Sequence, residues 1–424
     1  MSAMLARVNT LPPEVLSQIF VCAMPGLTDS LGKIQIPHPA NVIASVCSRW
    51  HQVSIATSSL WSCINIIRAE SDKRHRKFLK LMGIWLKRSK TAPLHLHIAS
   101  TGSHDYAEYT KKILSLVQPH IPRIATLQLH RTSQDLCVSL MKSYYNSNGR
   151  VTLVDLRIEG DFSSRQVSAS PQQRQPESFP FIWPLSVLSR LSRLELRHIP
   201  ADFMPVFNGF VAVLSNMPAL QCLKLEDVRF SGEMDGEYPF IVMPDIEALA
   251  IEPSSGRPYL QKLVSILKPG LRHLAVHLGS WFHEPTRAIF PHANVTFLRV
   301  CNLHAIDALG LGHALDYCTQ LKSLELGCYN LHSILEVLVK RNQEDTIARC
   351  PNLKRLKLHA CTFSPPAIEQ LKRVVQVYDL IELEMDTPGV SDEVRNDEVL
   401  IEWLCQRVET VSVGDRSFQR IHDE

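Results

Sequence analysis

The sequence predicts a mixed α/β fold in which short strands form a curved parallel sheet and helices cover its outer side. Three observations support this prediction: a short apolar motif recurs along most of the chain, segments with helical apolar spacing lie between its copies, and the composition is that of a folded protein. Of the 424 residues, 45% are hydrophobic and 21% are charged. The N-terminal region lacks the motif and predicts a short helical unit of its own.

The recurring motif is L-x-x-L-x-L, in which Ile, Val or Met also occupies the leucine positions. One copy arises by chance in many helical proteins, and a helical array such as a HEAT or armadillo repeat is the alternative interpretation. Most copies here are separated by about 20 to 29 residues, which favours an irregular leucine-rich-repeat solenoid. The copies begin at Ile124, Val151, Leu191, Leu220, Ile246, Leu271, Val295, Leu321, Leu353, Leu380 and Val408.

Each copy is expected to form one strand with its leucines directed inward, because a single repeat cannot bury its own apolar side chains. The segments between copies, such as Phe203 to Leu214, Tyr259 to Leu267 and Leu331 to Val339, have helical apolar spacing and should lie on the outer side. The range from about 160 to 184 is rich in Ser, Gln and Arg, and we expect a disordered insertion there.

A different pattern occupies residues 11 to 61. A first helix should begin near Pro12, because proline is tolerated in a first helical turn and Glu14 is favourable there. A second helix is expected from about Pro39 through Trp50 and beyond. Helical spacing predicts one apolar face on each helix. The first face consists of Val15, Leu16, Ile19 and Phe20, and the second of Val42, Ile43, Val46, Cys47 and Trp50.

These motifs resemble the F-box, in which a Leu-Pro-Pro-Glu opening, a Val-Cys-x-x-Trp centre and a closing Leu-Trp occur in this order. The resemblance covers about fifty residues, and the loop from Met24 to His38 is longer than in compact F-boxes. Residues 78 to 98 also resemble the expanded F-box families of mushroom-forming fungi. The resemblance implies a Skp-type adaptor, and through it a cullin, as partners. The implied adaptor-binding residues are Leu11, Pro12, Pro13, Glu14, Leu16, Ile19, Phe20, Val46, Cys47 and Trp50.

The predicted organisation is an F-box domain over residues 1–65, a linking helix over 66–92 and the repeat solenoid over 93–424. The resemblance implies a substrate-recognition subunit of a ubiquitin ligase, with the repeats binding an unknown target protein. Two alternatives stay open. The helices could be a cap that shields the first repeat, and the chain could be an interaction scaffold without a role in ubiquitin transfer.

Target-binding residues are expected where side chains alternate with the inward leucines, because strand side chains have a period of two. These positions are basic in the middle of the repeats and acidic towards the end, which suits a charged polypeptide. The candidates are Arg193, Arg197, Lys224, Arg299, Arg355, Lys357, Glu382 and Glu384.

Composition and motifs argue against other classes of function. With 45 basic and 42 acidic residues the net charge is +3, which predicts no nucleic-acid or membrane partner. The 11 cysteines form no C-x-x-C pair, and no export signal is visible, so we expect a soluble protein of the cytoplasm or nucleus. No H-E-x-x-H, G-x-S-x-G or Walker motif occurs, and we expect no catalytic residues, metal or cofactor.

Overall fold

A computed structural model describes residues 10–24, 38–67, 72–99, 106–147, 152–160, 183, 185–233, 236–252, 257–279, 289–339, 349–386 and 397–420. The chain divides into two compact units, Met1–Pro205 and Val206–Glu424. Each unit is a mixed α/β structure with a mostly parallel sheet and helices. The predicted polar insertion at 160–184 lies outside the described residues, apart from Gly160 and Trp183.

The first unit begins with three short helices: α1 (Pro13–Cys22), α2 (Pro39–Ala44) and α3 (Ser48–Ala56). The prediction of a single helix from Pro39 through Trp50 is therefore wrong. The chain leaves the helix at Ser45, and Cys47 is extended, with φ −160° and ψ 170°. The sulfur of Cys47 accepts a hydrogen bond from the Trp50 N–H at 3.5 Å, so Cys47 caps α3 instead of continuing one apolar stripe.

Five parallel strands follow, and they pair in the order of the chain. The strands alternate with helices, as repeats of one strand and one helix require. In chain order the elements are β1 (Cys63–Ile67), α4 (Asp72–Arg88), β2 (Leu94–Ala99), α5 (Tyr106–Val117), β3 (Ile124–His130), α6 (Gln134–Asn146), β4 (Asp155–Glu159), α7 (Leu185–Leu188) and β5 (Arg193–Arg197).

Strand β1 was not predicted, and it begins well before the first recognised copy of the motif. Ile64 pairs with Leu96, and Leu96 pairs with Leu127, so β1 and β2 are in register with the first copy. Trp61 stands three residues before Ile64, where the motif has its first leucine, and it is fully buried. A pattern that admits only aliphatic residues misses this strand. The helix predicted to link the two regions, α4, connects β1 to β2.

The second unit contains a larger sheet in which parallel strands pair in the order β6-β8-β10-β11-β12-β13-β14-β15, with β16 antiparallel at the edge. Strands β7 and β9 form a separate pair. The elements are α8 (Phe207–Ser215), β6 (Cys222–Glu226), β7 (Ile241–Met243), β8 (Ala248–Glu252), α9 (Arg257–Ile266), β9 (Leu267–Pro269), β10 (His273–Leu278), β11 (Asn294–Leu303), α10 (Ala308–Tyr317), β12 (Ser323–Cys328), α11 (Leu331–Val339), β13 (Arg355–His359), α12 (Pro365–Val377), β14 (Glu382–Met385), α13 (Glu398–Cys405), β15 (Thr410–Val413) and β16 (Arg416–Gln419).

Each recognised copy of the motif coincides with a strand, which confirms the repeat prediction, and the middle leucines of the motif stack in register. Leu298 pairs with Leu324, and Leu324 pairs with Leu356. None of the three is more than 1% exposed. The helices predicted between copies are present as α8, α9 and α11. This strand pairing gives the chain leucine-rich-repeat architecture.

Two copies are displaced by two residues from the predicted register. Val276 pairs with Leu249, and Leu278 pairs with Ile251, so the sixth copy ends at Leu278 and not at Val276. Leu271, predicted to point inward, is 86% exposed, whereas Leu278 is 1% exposed. In the second copy Leu156 likewise occupies the place predicted for Val154. A shift of two keeps the same sheet face inward, so alternation alone cannot distinguish the two registers.

In several repeats a residue at or just beyond the end of the strand adopts a left-handed conformation. The φ angles are 50° at Arg131, 53° at His198, 49° at Asp227, 53° at Asn302 and 50° at Ala360. All five residues occupy the same place in the repeat, seven residues after its first apolar position. The side-chain amide of Asn302 also donates to the Gly279 carbonyl at 2.8 Å, joining one repeat to its predecessor. A recurrent turn therefore leads the chain out of each of these strands.

Candidate functional site

The side chains that alternate with the buried leucines form what we call the polar face of each sheet. All eight target-binding candidates lie on a polar face, since each is directly next to a buried leucine of its strand and strand side chains alternate between the two faces. Each also takes part in an ion pair. The pairs are Arg193–Glu195 (3.1 Å), Arg197–Glu195 (3.8 Å), Lys224–Glu226 (3.6 Å), Arg299–Glu325 (3.6 Å), Arg355–Glu382 (3.2 Å) and Lys357–Glu384 (2.6 Å).

In the second unit one row of the polar face alternates in charge across four strands. Arg299 pairs in register with Glu325, Glu325 with Lys357, and Lys357 with Glu384. The hydrogen bond from Lys357 to Glu384 raises the pKa of the lysine amine. The expected division into a basic middle and an acidic end is therefore wrong for this row, because Glu325, which was not among the candidates, interrupts the basic residues.

In the first unit the charged residues of the polar face form a compact network. The guanidinium of Arg157 donates two hydrogen bonds to Asp155, at 3.1 Å and 3.0 Å, and lies 3.8 Å from a carboxylate oxygen of Glu195. Arg193 bridges the same two carboxylates, at 3.9 Å from Asp155 and 3.1 Å from Glu195. A bidentate contact of this kind holds Arg157 in one geometry.

A pocket of about 320 Å³ lies beside this network. His97 and Gln128 are neighbours in register on β2 and β3, and they are only 2% and 5% exposed. At the edge of the pocket the Nδ1 of His130 lies 2.8 Å from a carboxylate oxygen of Glu159. The pocket is lined by His97, Gln128, Leu129, His130, Arg157, Ile158, Glu159, Glu195 and Arg197.

Of the eight target-binding candidates, only Arg197 lines this pocket. His97 was missed because the motif did not identify β2 as a repeat strand. Gln128 and His130 lie on β3, a recognised copy, but they were missed because the candidates were chosen for charge. The alternation His95-Leu96-His97-Ile98 is visible in the sequence, and it places both histidines on one strand face. If this segment is assigned to a repeat strand, both histidines become candidates for the polar face.

The N-terminal helices carry the residues that resemble an adaptor-binding surface. Leu16 and Phe20 are buried, and the Phe20 ring lies 4.8 Å from that of Trp50, so these side chains hold the helices together. Val15 and Ile19, four residues apart on α1, are 44% and 46% exposed. The apolar face predicted for α1 is thus divided between an interior side and an exposed side.

The remaining adaptor-binding candidates have different environments. Pro12, Pro13 and Glu14 are exposed at the start of α1, and Val46 is 49% exposed between α2 and α3. Leu11 is half-buried, and its carbonyl accepts a hydrogen bond from Arg49. On α2, Val42 is 51% exposed. Exposed valine and isoleucine side chains therefore occur on two of the three helices.

An aromatic cluster joins these helices to the first repeat. The indole of Trp61 donates to the Ser54 carbonyl at 2.8 Å, and the guanidinium of Arg88 lies 4.4 Å from the centre of its ring. His38 stacks on Trp61 with ring centres 5.8 Å apart and hydrogen-bonds through Nε2 to the Cys63 carbonyl at 3.0 Å. Burial lowers the pKa of His38, which favours the neutral imidazole in this cluster.

The described residues contain no group of three or more His, Cys, Asp or Glu side chains that could hold a metal ion. Within that same part of the chain, no helix combines the length and apolar character needed to cross a membrane. All 11 cysteines are free thiols. The rows of polar side chains and the exposed apolar helix faces are features of binding surfaces.

No protein-family model matches the chain, and no curated protein matches it. Among solved structures, an internalin from Listeria monocytogenes is 12% identical and aligns over 89% of this chain and 93% of its own, with a TM-score of 0.35. The leucine-rich-repeat architecture follows from the register of the chain's own strands.

Proposed function

We propose that this chain is a non-catalytic interaction protein whose repeats bind a target protein through the polar faces of their sheets. The observation that carries this proposal is the polar face itself, where charged and polar side chains stand in register on successive strands while the leucines between them are buried. Such a surface recognises a partner by complementary charges and hydrogen bonds more than by apolar burial.

Paired charges do not weaken this proposal. Lys357 and Glu384 have side chains 32% and 34% exposed, so water screens their ion pair and a partner can compete for either charge. A row that alternates in sign favours a partner segment whose charges alternate in the opposite sense. The row therefore supports specificity even though it carries little net charge.

A charge exchange on the polar face tests the proposal. In the double variant Lys357→Glu/Glu384→Lys the pair and the net charge are retained, but the signs along the row change from + − + − to + − − +. The matched control is Lys372→Glu/Glu369→Lys, which exchanges an exposed pair on helix α12 at 2.9 Å. We expect proximity labelling in cells to lose its principal partners with the first variant and to keep them with the control. Loss with the control alone would contradict the proposal.

We further propose, as the finer function, that the N-terminal helices bind a Skp-type adaptor, so that the chain serves as the substrate-recognition subunit of a cullin ubiquitin ligase. The sequence resemblance and the exposed side chains of Val15, Ile19, Val42 and Val46 support this proposal. Exposed apolar stripes on short helices are favourable docking surfaces. Free cysteines agree with the expected location in cytoplasm or nucleus.

Co-expression with a Skp-type adaptor and size-exclusion chromatography test the finer proposal. The variant Val15→Asp/Ile19→Asp changes exposed residues, so it should fold and fail to form the adaptor complex. Val399→Asp is a suitable control, because Val399 on α13 is 78% exposed and lies outside these helices. If the wild-type chain elutes without the adaptor, the scaffold function stands without a role in ubiquitin transfer.

A further inference from the structure

The pocket on the polar face of the first unit contains a buried polar atom without a partner. His97 is 2% exposed, and its Nε2 has no hydrogen-bond partner among the described residues. The side-chain oxygen of Asn65, the residue paired with His97 on β1, is also buried and unpartnered. Leaving a buried polar group unpaired is unfavourable, so two such groups in adjacent positions indicate that another molecule completes the hydrogen bonding.

The imidazole of His97 is neutral at physiological pH. Burial, with a smaller contribution from His130, lowers the pKa of His97 to about 4. A neutral imidazole offers one N–H donor and one acceptor nitrogen. The neighbouring Gln128 is also uncharged and offers both kinds of group, so the two most buried side chains of the pocket carry no charge and can both donate and accept.

The charged groups around the pocket already have partners. Arg157 lies against Asp155 at 3.0 Å and Arg197 against Glu195 at 3.8 Å, and a carboxylate oxygen of Glu159 lies 2.8 Å from the Nδ1 of His130. A carboxylate or ammonium group brought against His97 and Gln128 would lose its hydration without gaining an unshared counter-charge. The chemistry therefore favours a neutral ligand group that both donates and accepts hydrogen bonds.

We infer that this pocket binds the carboxamide side chain of an asparagine or glutamine on the target polypeptide, with His97 and Gln128 as its hydrogen-bonding partners. The inference rests on the proposed function of the polar face and specifies what that face recognises. A volume of about 320 Å³ is sufficient for one side chain and adjoining backbone. The carboxamide offers two N–H donors and one acceptor oxygen, which matches an imidazole beside a glutamine amide.

The test is a selection of random peptides displayed on phage against the full chain. Peptides that bind are resynthesised, and their affinities are measured for the wild type, for His97→Phe and for His97→Gln. His313→Phe is the matched control, because His313 is exposed on helix α10 and lies outside the polar faces. Circular dichroism and heteronuclear NMR spectra establish that each variant is folded.

The inference predicts that the selected peptides share an asparagine or glutamine. Replacing that residue by aspartate, glutamate or leucine should weaken binding about tenfold, as should His97→Phe, whereas His97→Gln retains most of the affinity and His313→Phe retains all of it. If His97→Phe does not fold, an unchanged NMR signal of the wild-type His97 imidazole on addition of peptide overturns the inference.

The failure of this inference is distinct from the failure of the proposed function. Peptides that bind the wild type but share an acidic or apolar residue, or that bind His97→Phe equally well, overturn the carboxamide pocket and leave the polar face as a binding surface. If no peptide binds the wild type, the proposed function of the polar face and the inference both fail.

Discussion

The N-terminal helices and the repeats bury their apolar residues in different ways. In the repeats each motif leucine lies beside its counterpart on the next strand, and Leu298 and Leu324 have no exposed surface. In the helices Leu16 and Phe20 are buried, but Val15 and Ile19 on the same helix are 44% and 46% exposed. The repeats therefore bury the apolar side chains of their motif, whereas the helices leave some of their apolar side chains exposed.

This difference follows from size and regularity. A stack of repeats covers each strand with the next, so the interior grows with the number of repeats. Three helices of 10, 6 and 9 residues enclose a small interior and cannot cover a wide apolar face. Apolar character consequently indicates core in the repeats, and it indicates both core and surface in the helices.

The largest expected effect on stability tests whether α1 has one buried side and one exposed side. Phe20→Ala removes a buried ring that packs on Trp50, and we expect it to lower the free energy of unfolding by about 4 kcal/mol. Ile19→Ala, one residue away and 46% exposed, should lower it by less than about 1 kcal/mol. Urea unfolding followed by tryptophan fluorescence measures both. Equal losses would mean that the division into interior and exposed sides is wrong.

A second comparison concerns the displaced register of β10. Leu278→Ala should cost about 3 kcal/mol of unfolding free energy because Leu278 is 1% exposed. Leu271→Ala should change it by about 0.5 kcal/mol or less, because Leu271 is 86% exposed. The register predicted from the motif would require the reverse order, so chemical denaturation of the two variants decides between the registers.

A third prediction concerns pH. Because the pKa of His97 falls from 6.5 in the unfolded chain to about 4 in the folded one, the unfolded state binds more protons between these values. Stability should therefore decrease as pH falls from 6.5 to 4, by on the order of 2 kcal/mol from this residue. Denaturation at a series of pH values should show a smaller decrease for His97→Gln. If the stability of the wild type and of His97→Gln depends on pH in the same way, His97 is not a source of the loss of stability at low pH.

The smallest expected effect lies on the polar face of the second unit. A double-mutant cycle of Lys357→Ala and Glu384→Ala should give a coupling free energy of about 0.5 kcal/mol, because both side chains are about one-third exposed. The coupling should weaken further in high salt. A coupling above about 2 kcal/mol would show that this row stabilises the fold and is less available to a partner.

Most of the fold could be predicted from sequence because the repeat combines two periodic constraints. A strand period of two and a recurring motif predicted the strands from β3 onward, apart from the short β7, β9 and β16. The same period hid the displacement at Leu271, since a shift of two residues leaves the pattern intact. Strand β1 was missed because Trp61 occupies a place reserved for an aliphatic residue, and α2 and α3 were merged because cysteine is an unusual helix cap.

The candidate site was less predictable. Alternation placed Arg299 and Lys357 on one face, but the cross-strand register that sets Glu325 between them depends on the intervening loops. The burial of His97 depends on neighbours from three other strands, and no local pattern records it. Charge can be counted in a sequence, whereas its neutralisation across strands cannot.

The cluster around Trp61 connects the exposed apolar side of the N-terminal helices with the polar face of the first strands. Ser54 of α3, Cys63 of β1 and Arg88 of α4 all contact Trp61 or its stacked neighbour His38. With the start of the sheet and the end of the helices joined to one buried residue, a molecule bound on Val15 and Ile19 would hold a defined direction relative to strands β1 and β2. The packing around Trp61 would then fix the angle between that bound molecule and a target held on the first repeats.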